Sequence, residues 1–295
     1  MSAERSLLSG PASDTKVLNR LLLFAAAFLF STGGAAIKAC SLTGWQVACF
    51  RSLIAGVTLL VLLPEARRGW NARTWAIAIA YAATLVFFVL ANKLTTSANT
   101  IFLQSTSPFY LLFLGPLVLR EPLRRVDILV VLAVAAGALL LLFGAQHAGT
   151  TAPNPPLGNL LGLCSGLTWA LTLTGLRWVG KRANGTDPVA IVTAGNLLAF
   201  AVCLPFALPV VRLGAADVVA LLYLGVFQIG VAYWALTRSI RYVPGLEAAT
   251  LLLLEPVFNP IWTWMIHGER PGGMALAGGA LIIFAAFGKS VQRDG

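Results

Sequence analysis

Apolar residues run along this chain in blocks of about twenty, divided by short polar or turn-forming segments. An α-helix rises 1.5 Å per residue, so about 20 predominantly apolar residues cross the ~30 Å hydrocarbon core of a bilayer. Ten such stretches are predicted, near residues 20–37, 45–63, 75–92, 98–118, 126–143, 157–177, 188–208, 217–236, 246–266 and 273–289. Turn formers and charges fill most of the connections, at 64–74, 120–125, 147–156, 180–188 and 267–273. The weakest division is Asn92-Lys93-Leu94-Thr95-Thr96, between the third and fourth stretches.

Composition excludes the soluble alternative. Hydrophobic residues make up 58% of the 295 and charged residues 11%, against roughly 45–50% and 25% in ordinary soluble domains. A net charge of +10 in a soluble protein would suggest nucleic acid, but here it reports topology, because Lys and Arg concentrate on the cytoplasmic side of membrane proteins. With ten spans and the N-terminus inside, sixteen of the 21 Lys and Arg fall on the cytoplasmic side. Four (Lys38, Lys93, Arg212 and Arg270) fall outside, and Arg51 lies within the second span. Both termini are therefore expected in the cytoplasm, which requires an even number of spans. Residues 1–19 are polar, and no cleavable signal peptide is expected. Cys40, Cys49, Cys164 and Cys203 lack CxxC spacing and read as small packing residues.

The chain then repeats itself. SPFYLLFLGPLVLREPL from Ser107 and EPVFNPIWTWMIHGERP from Glu255 carry Pro108 and Glu121, and Pro256 and Glu269, at a common offset of 148 residues. Phe30 and Lys38 correspond to Trp169 and Arg177, while Arg51 and Asn196 each lie 13 residues before a proline, Pro64 and Pro209. Two copies of five spans must enter the membrane from opposite sides, since five is odd. The expected fold is all-α and integral to the membrane, with ten helices as two inverted five-helix repeats around a central cavity. Its divisions are a cytoplasmic tail at 1–19, a first repeat at 20–147, a periplasmic linker at 148–156, a second repeat at 157–290 and a tail at 291–295. Inverted repeats characterise secondary transporters, whose sites lie near the midplane on broken helices. Prolines in the fourth stretch (Pro108, Pro116) and the ninth (Pro256, Pro260) supply such breaks, because each removes a backbone donor.

On these residues the chain resembles the drug/metabolite transporter superfamily, in its branch of ten-span exporters built from two EamA-type five-helix domains. The Pro108-to-Glu121 segment, LLEPVF…GE from Leu253 to Glu269, Trp169-Ala170 and Arg51 carry the likeness, which covers about residues 20–290. Within that superfamily the sequence looks most like bacterial inner-membrane exporters of aromatic amino acids. Phe30 departs from the pattern, since the family usually places a tryptophan in its first span.

Candidate site residues are those whose polarity or shape is expensive in lipid. Glu255 lies about ten residues into its span, where an acid costs roughly 2.5–3.5 kcal/mol. It would hold a substrate ammonium or a coupling proton, or else sit hydrogen-bonded beside the backbone freed by Pro256. Thr100, Gln104 and Ser107 share one helical face, as do Ser165, Thr168 and Thr172; a water-lined cavity and interhelical hydrogen bonding both fit. Gln104, with the largest polar group, is the preferred cavity residue. Tyr81, Phe88, Trp169, Tyr233 and Trp234 lie deep in their spans, where packing competes with lining an apolar pocket. Trp45, Trp70, Trp75 and Trp178 sit at span ends as belt anchors. Structural pairing or snorkelling is favoured over substrate contact for Arg51, and Lys38 could draw anions into an outer mouth. Glu121 and Glu269 look like partners of Arg124 and Arg270.

Function follows as export of small amphipathic metabolites, foremost amino acids with aromatic or bulky apolar side chains, across a bacterial inner membrane. An exporter of drugs or other metabolites is the nearest alternative. An intramembrane enzyme is disfavoured, because His147 and His267 are the two histidines, both are expected in outer loops, and no metal-ligand spacing occurs. Without GxxxxGK[ST] no ATP drive is expected. Substrate and membrane lipid are the expected partners, with no cofactor and no nucleic acid.

Overall fold

A computed structural model describes residues 11–119, 125–143, 149–180, 187–239, 243 and 251–291; Glu121 lies outside them. The regular structure of these residues is helical. In order the helices are α1 (Pro11–Ser31), α2 (Gly33–Ala39), α3 (Gly44–Leu62), α4 (Ala72–Leu94), α5 (Ser97–Gln104), α6 (Ser107–Leu114) and α7 (Arg125–Phe143). They continue with α8 (Pro155–Gly180), α9 (Pro188–Ala207), α10 (Ala215–Leu222), α11 (Ala232–Ser239), α12 (Leu254–His267) and α13 (Gly273–Val291). Two π-helical segments, Gly115–Leu119 and Tyr223–Val231, extend α6 and join α10 to α11.

Among the described residues, six helical stretches are long and apolar enough to cross a bilayer: Val17–Ala39, Gly44–Leu62, Ala72–Leu94, Pro155–Leu176, Pro188–Ala207 and Ala215–Ser239. Two shorter apolar helices, Ile128–Phe143 and Gly273–Ala285, accompany them. Large apolar side chains face outward along the bundle, including Leu117, Phe143, Val211 and Phe284, a surface that water would not tolerate on this scale.

Local signals set the helix ends. Thr43 and Gln46 form a reciprocal capping box at the start of α3, each side chain accepting from the other's backbone N–H. Asn71 caps α4 by accepting from Arg73 N and Thr74 N, and Asp187 caps α9 ahead of Pro188. Pro64 holds Leu63 extended and ends α3. Gly268 closes α12 at φ 66°, a conformation that glycine adopts without steric cost.

The fourth apolar stretch is not one helix. It breaks at Ser105–Thr106, where Pro108 supplies no N–H to the turn before it. Thr106 Oγ1 donates to Leu103 O at 2.6 Å and Ser105 Oγ to Ile101 O at 2.8 Å, as second donors to carbonyls that the backbone N–H groups of the same two residues also reach. Thr263 Oγ1 folds back in the same way after Pro260, onto Asn259 O and Pro260 O.

Packing joins the two halves of the chain. α4 lies against α8 and α9, α3 against α9 and the Tyr223–Val231 segment, and α7 against α13. α1 packs on α11 and α12, while α8 packs on α5 and α6. Exchanging the first five apolar stretches for the last five maps most of these contacts onto one another. Glycines permit the closest approaches. A Cβ on Gly137 would stand 2.7 Å from the Gly278 carbonyl, and one on Gly278 would stand 2.6 Å from the Gly137 carbonyl, so α7 and α13 touch backbone to backbone.

Candidate functional site

Where the broken helices meet the bundle, a cavity of about 300 Å³ opens, at the small end of the ~300–1,000 Å³ usual for ligand pockets. Gln104, Ser105, Ser107 and Pro108 reach it from the α5–α6 break, and Leu252, Leu253, Glu255 and Pro256 from the start of α12. Tyr81, Thr84, Leu85 and Phe88 come from α4, Trp169 and Leu173 from α8, and Arg51 from α3. Gln228, Ile229, Tyr233 and Leu236 line the remaining wall with Phe30 of α1.

Six of the eight residues expected to bind substrate thus share this one space: Gln104, Glu255, Trp169, Tyr81, Phe88 and Tyr233. Trp234 does not line it; Arg238 covers the Trp234 ring, 5.8 Å from its centroid. Thr168 lies one layer back, 2.9 Å from the Thr84 hydroxyl. Polar stripes serve the cavity and the helix contacts together. Gln104 Nε2 donates to Ser165 Oγ at 2.8 Å, which fixes the amide between α5 and α8, while Thr100 and Thr172 turn back onto their own helices.

Aromatic walls are built edge to face. Tyr233 meets Phe30 at 5.1 Å and Tyr81 at 5.8 Å between ring centroids, with interplanar angles of 70° and 88°, a geometry that suits ring quadrupoles. Phe30 therefore occupies cavity wall. Gln228 was not foreseen. It is the single side-chain amide in the apolar run from Leu221 to Val231, and an isolated polar group in such a run was the available signal.

Two ionisable side chains on this space have no partner of opposite charge among the described residues. Arg51 is 2% exposed; its Nη2 lies 3.4 Å from Leu85 O, and its Nε has no acceptor. Among the described residues no hydrogen bond or ion pair reaches the Glu255 carboxylate.

A different polar cluster closes one end of the bundle, where α2 ends, α5 begins and α12 ends. Glu269 turns to Lys38 at 3.1 Å, and the two side chains are 3% and 4% exposed. It pairs there, rather than with Arg270, because the chain after Gly268 folds Glu269 inward. Lys38 Nζ also donates to the Thr95 carbonyl at 2.9 Å and to the Thr151 carbonyl. Ser97 N donates to Glu269 Oε2 at 2.8 Å, and Ser97 Oγ lies 2.7 Å from Asn92 Oδ1 and 2.8 Å from Asn259 Oδ1. Lys38 is thus a buried tie between segments, not an open anion lure. At the ends of the spans, Trp45 stacks on Phe206, Trp70 meets Trp75 edge on, and Arg73 covers Trp178.

Comparison with known proteins follows the same division into halves. Residues 19–143 and 156–290 each match the model of the EamA-like transporter family. The pseudopaline exporter CntI of Pseudomonas aeruginosa is 25% identical over 281 residues, covering 93% of this chain and 96% of that one. An uncharacterized transporter of Archaeoglobus fulgidus is 29% identical over 208 residues, 68% and 69% of the two chains. A crystal structure at 21% identity superposes with a TM-score of 0.62 over 93% of this chain and 96% of that one, a likeness of fold.

Proposed function

The chain belongs to the EamA-like transporter family, and on that premise we propose that it exports amino acids with aromatic or bulky apolar side chains across a bacterial inner membrane. It is a multi-pass membrane transporter and not an enzyme. The observation that carries the substrate reading is the cavity itself. Aromatic rings form its walls, Gln104 supplies a fixed amide, and Glu255 offers an ammonium a carboxylate that has no partner among the described residues. An acid kept in such a place is a functional group by default, because lipid and protein interior both penalise it.

Transport proceeds by alternating access, with two inverted five-helix repeats, residues 20–147 and 157–290, rocking about the cavity. Two matches to one family model, the exchangeable helix contacts, and breaks at both Pro108 and Pro256 support that architecture. Ten apolar stretches, read as ten spans, and the bias of Lys and Arg to one side of them support an arrangement with both termini in the cytoplasm. Cysteines introduced at Arg124 and Lys181 should react with impermeant thiol reagents from the cytoplasm, and one at Pro153 from outside. The reverse pattern would overturn the orientation.

Reconstituted protein should carry labelled phenylalanine, tyrosine or leucine into empty liposomes. Glu255→Gln, nearly isosteric, should keep the fold and reduce flux at least tenfold, whereas Trp169→Ala should change the order of preferred side chains. Wild-type flux in folded Glu255→Gln would make that carboxylate structural. A second reading, export of another small metabolite, is favoured by the name of the Pseudomonas relative. Flux of pseudopaline with none of the amino acids would select it.

A further inference from the structure

The cavity holds a second charge that the ammonium site leaves unused. Arg51 sits two turns inside α3, 2% exposed, and its guanidinium lines the same space as Glu255. A buried guanidinium ordinarily pairs with a carboxylate, since desolvating it alone is costly. Arg51 has no such partner among the described residues. Its neighbours are Tyr81, Tyr233 and the thiols of Cys40 and Cys203. The long bond from Nη2 to Leu85 O is the protein contact of its fork, and Nε has none.

Other unpartnered polar atoms accompany Arg51. Gln228 Oε1 and the hydroxyl of adjacent Ser52 are buried without hydrogen bonds, and the Tyr81 hydroxyl, close enough to Tyr233 and Asn196 to interact with both, makes no bond of good geometry. Tyr81 and Gln228 line the cavity with Arg51. Buried polar groups are nearly always satisfied in a folded protein, so Arg51 Nε and Gln228 Oε1, both unsatisfied in residues of the cavity wall, mark a place where something polar binds.

The two charges also leave each other alone. Arg51 and Glu255 form no ion pair, although Tyr233 is an electrostatic neighbour of both. Direct pairing would relieve both desolvation costs, but it would fill the cavity's polar positions with the protein's own atoms. Held apart, they present opposite signs to one guest.

We propose that Arg51 is the carboxylate-binding residue of this cavity, so that the species it accepts carry an anionic group opposite the ammonium held by Glu255. The Nε edge of a guanidinium, with one adjacent Nη, matches a carboxylate in two parallel hydrogen bonds. The Tyr81 hydroxyl stands nearby as a further donor. The assignment rests on the amphipathic-substrate reading above and narrows it, because amines without a carboxylate satisfy half of the site.

Three probes sharing one ring separate the charges: L-phenylalanine, 2-phenylethylamine and 3-phenylpropionate. Each is titrated against the purified full-length protein while its thermal unfolding is followed, since a ligand that binds the folded state raises the midpoint with concentration. Phenylpropionate should stabilise the wild type. Arg51→Gln should lose affinity for phenylpropionate and phenylalanine by tenfold or more while keeping its response to phenylethylamine. Retention of the amine response shows that the variant is folded. Absence of phenylpropionate binding by the wild type would overturn the assignment, as would equal weakening of amine and anion. If Arg51→Gln does not fold, Arg51→Lys decides: a lost fork weakens the anion severalfold, and unchanged anion affinity refutes the proposal. Phenylpropionate binding through Arg51 with no amino-acid flux in liposomes would uphold the anion site and remove the amino-acid reading.

Discussion

Removing one member of the Lys38–Glu269 pair destabilises the protein by about 3–5 kcal/mol, whereas removing both costs much less. The two side chains are 4% and 3% exposed and 3.1 Å apart. Glu269→Gln leaves a buried ammonium facing a neutral amide. Lys38→Met leaves a buried carboxylate with Ser97 N as its remaining donor and strips a donor from the Thr95 and Thr151 carbonyls. In the double variant no net charge is stranded, so the sum of the single losses should exceed the double loss by more than 1 kcal/mol. Unfolding of the three variants in detergent measures this cycle. Additive losses, or single variants as stable as the wild type, would show that the pair contributes little. Transport adds a second readout. On the proposed orientation and alternating-access mechanism, opening to the outside parts α2 from the end of α12, and the double variant should favour that state.

The second large effect lies where α7 meets α13. Gly278→Val should separate these helices, because even its Cβ would press on the Gly137 carbonyl from 2.6 Å. Backbone cannot swing aside as a side-chain tip does. Overpacking of this kind costs about 1–3 kcal/mol and sometimes more. The reciprocal contact sharpens the test. Gly137→Ala and Gly278→Ala should each destabilise, but together they should cost less than their sum, since the first separation makes room for the second methyl. Strict additivity would mean that the helices do not touch in this way.

Much of this architecture could be read from the sequence because its largest energy term is compositional. Blocks of apolar residues locate the helices, and prolines at Pro108 and Pro256 mark where two of them fail to continue. Depth along a span then drew attention to Gln104, Glu255, Tyr81, Phe88, Trp169 and Tyr233, which converge on one cavity. Rotation about the helix axis was less legible. Trp234 follows Tyr233 directly, and a step of one residue turns a side chain by about 100°. One ring therefore enters the cavity and the other goes under Arg238. Depth along a span reports how far a side chain lies from the membrane surface, not which way it faces. Long-range pairing was illegible for a related reason. Arg270 is next to Glu269 in the chain, yet the partner is Lys38, brought in from the other half by packing of α2 against α12. Thr168 likewise faces Thr84 rather than open space, its own hydroxyl donating back to carbonyls of its helix while accepting from Thr84.

The tie at Lys38 has an evolutionary consequence. Two of its acceptors are main-chain carbonyls, those of Thr95 and Thr151, and every residue type carries a carbonyl. Thr95 is anchored separately through its hydroxyl to Asn159, whereas residue 151 is recognised by the path of the backbone. Residue 151 is thus free to change in identity so long as the backbone keeps its path. A homologue could replace the side chain there and still fasten the lysine, since the acceptor is the main chain.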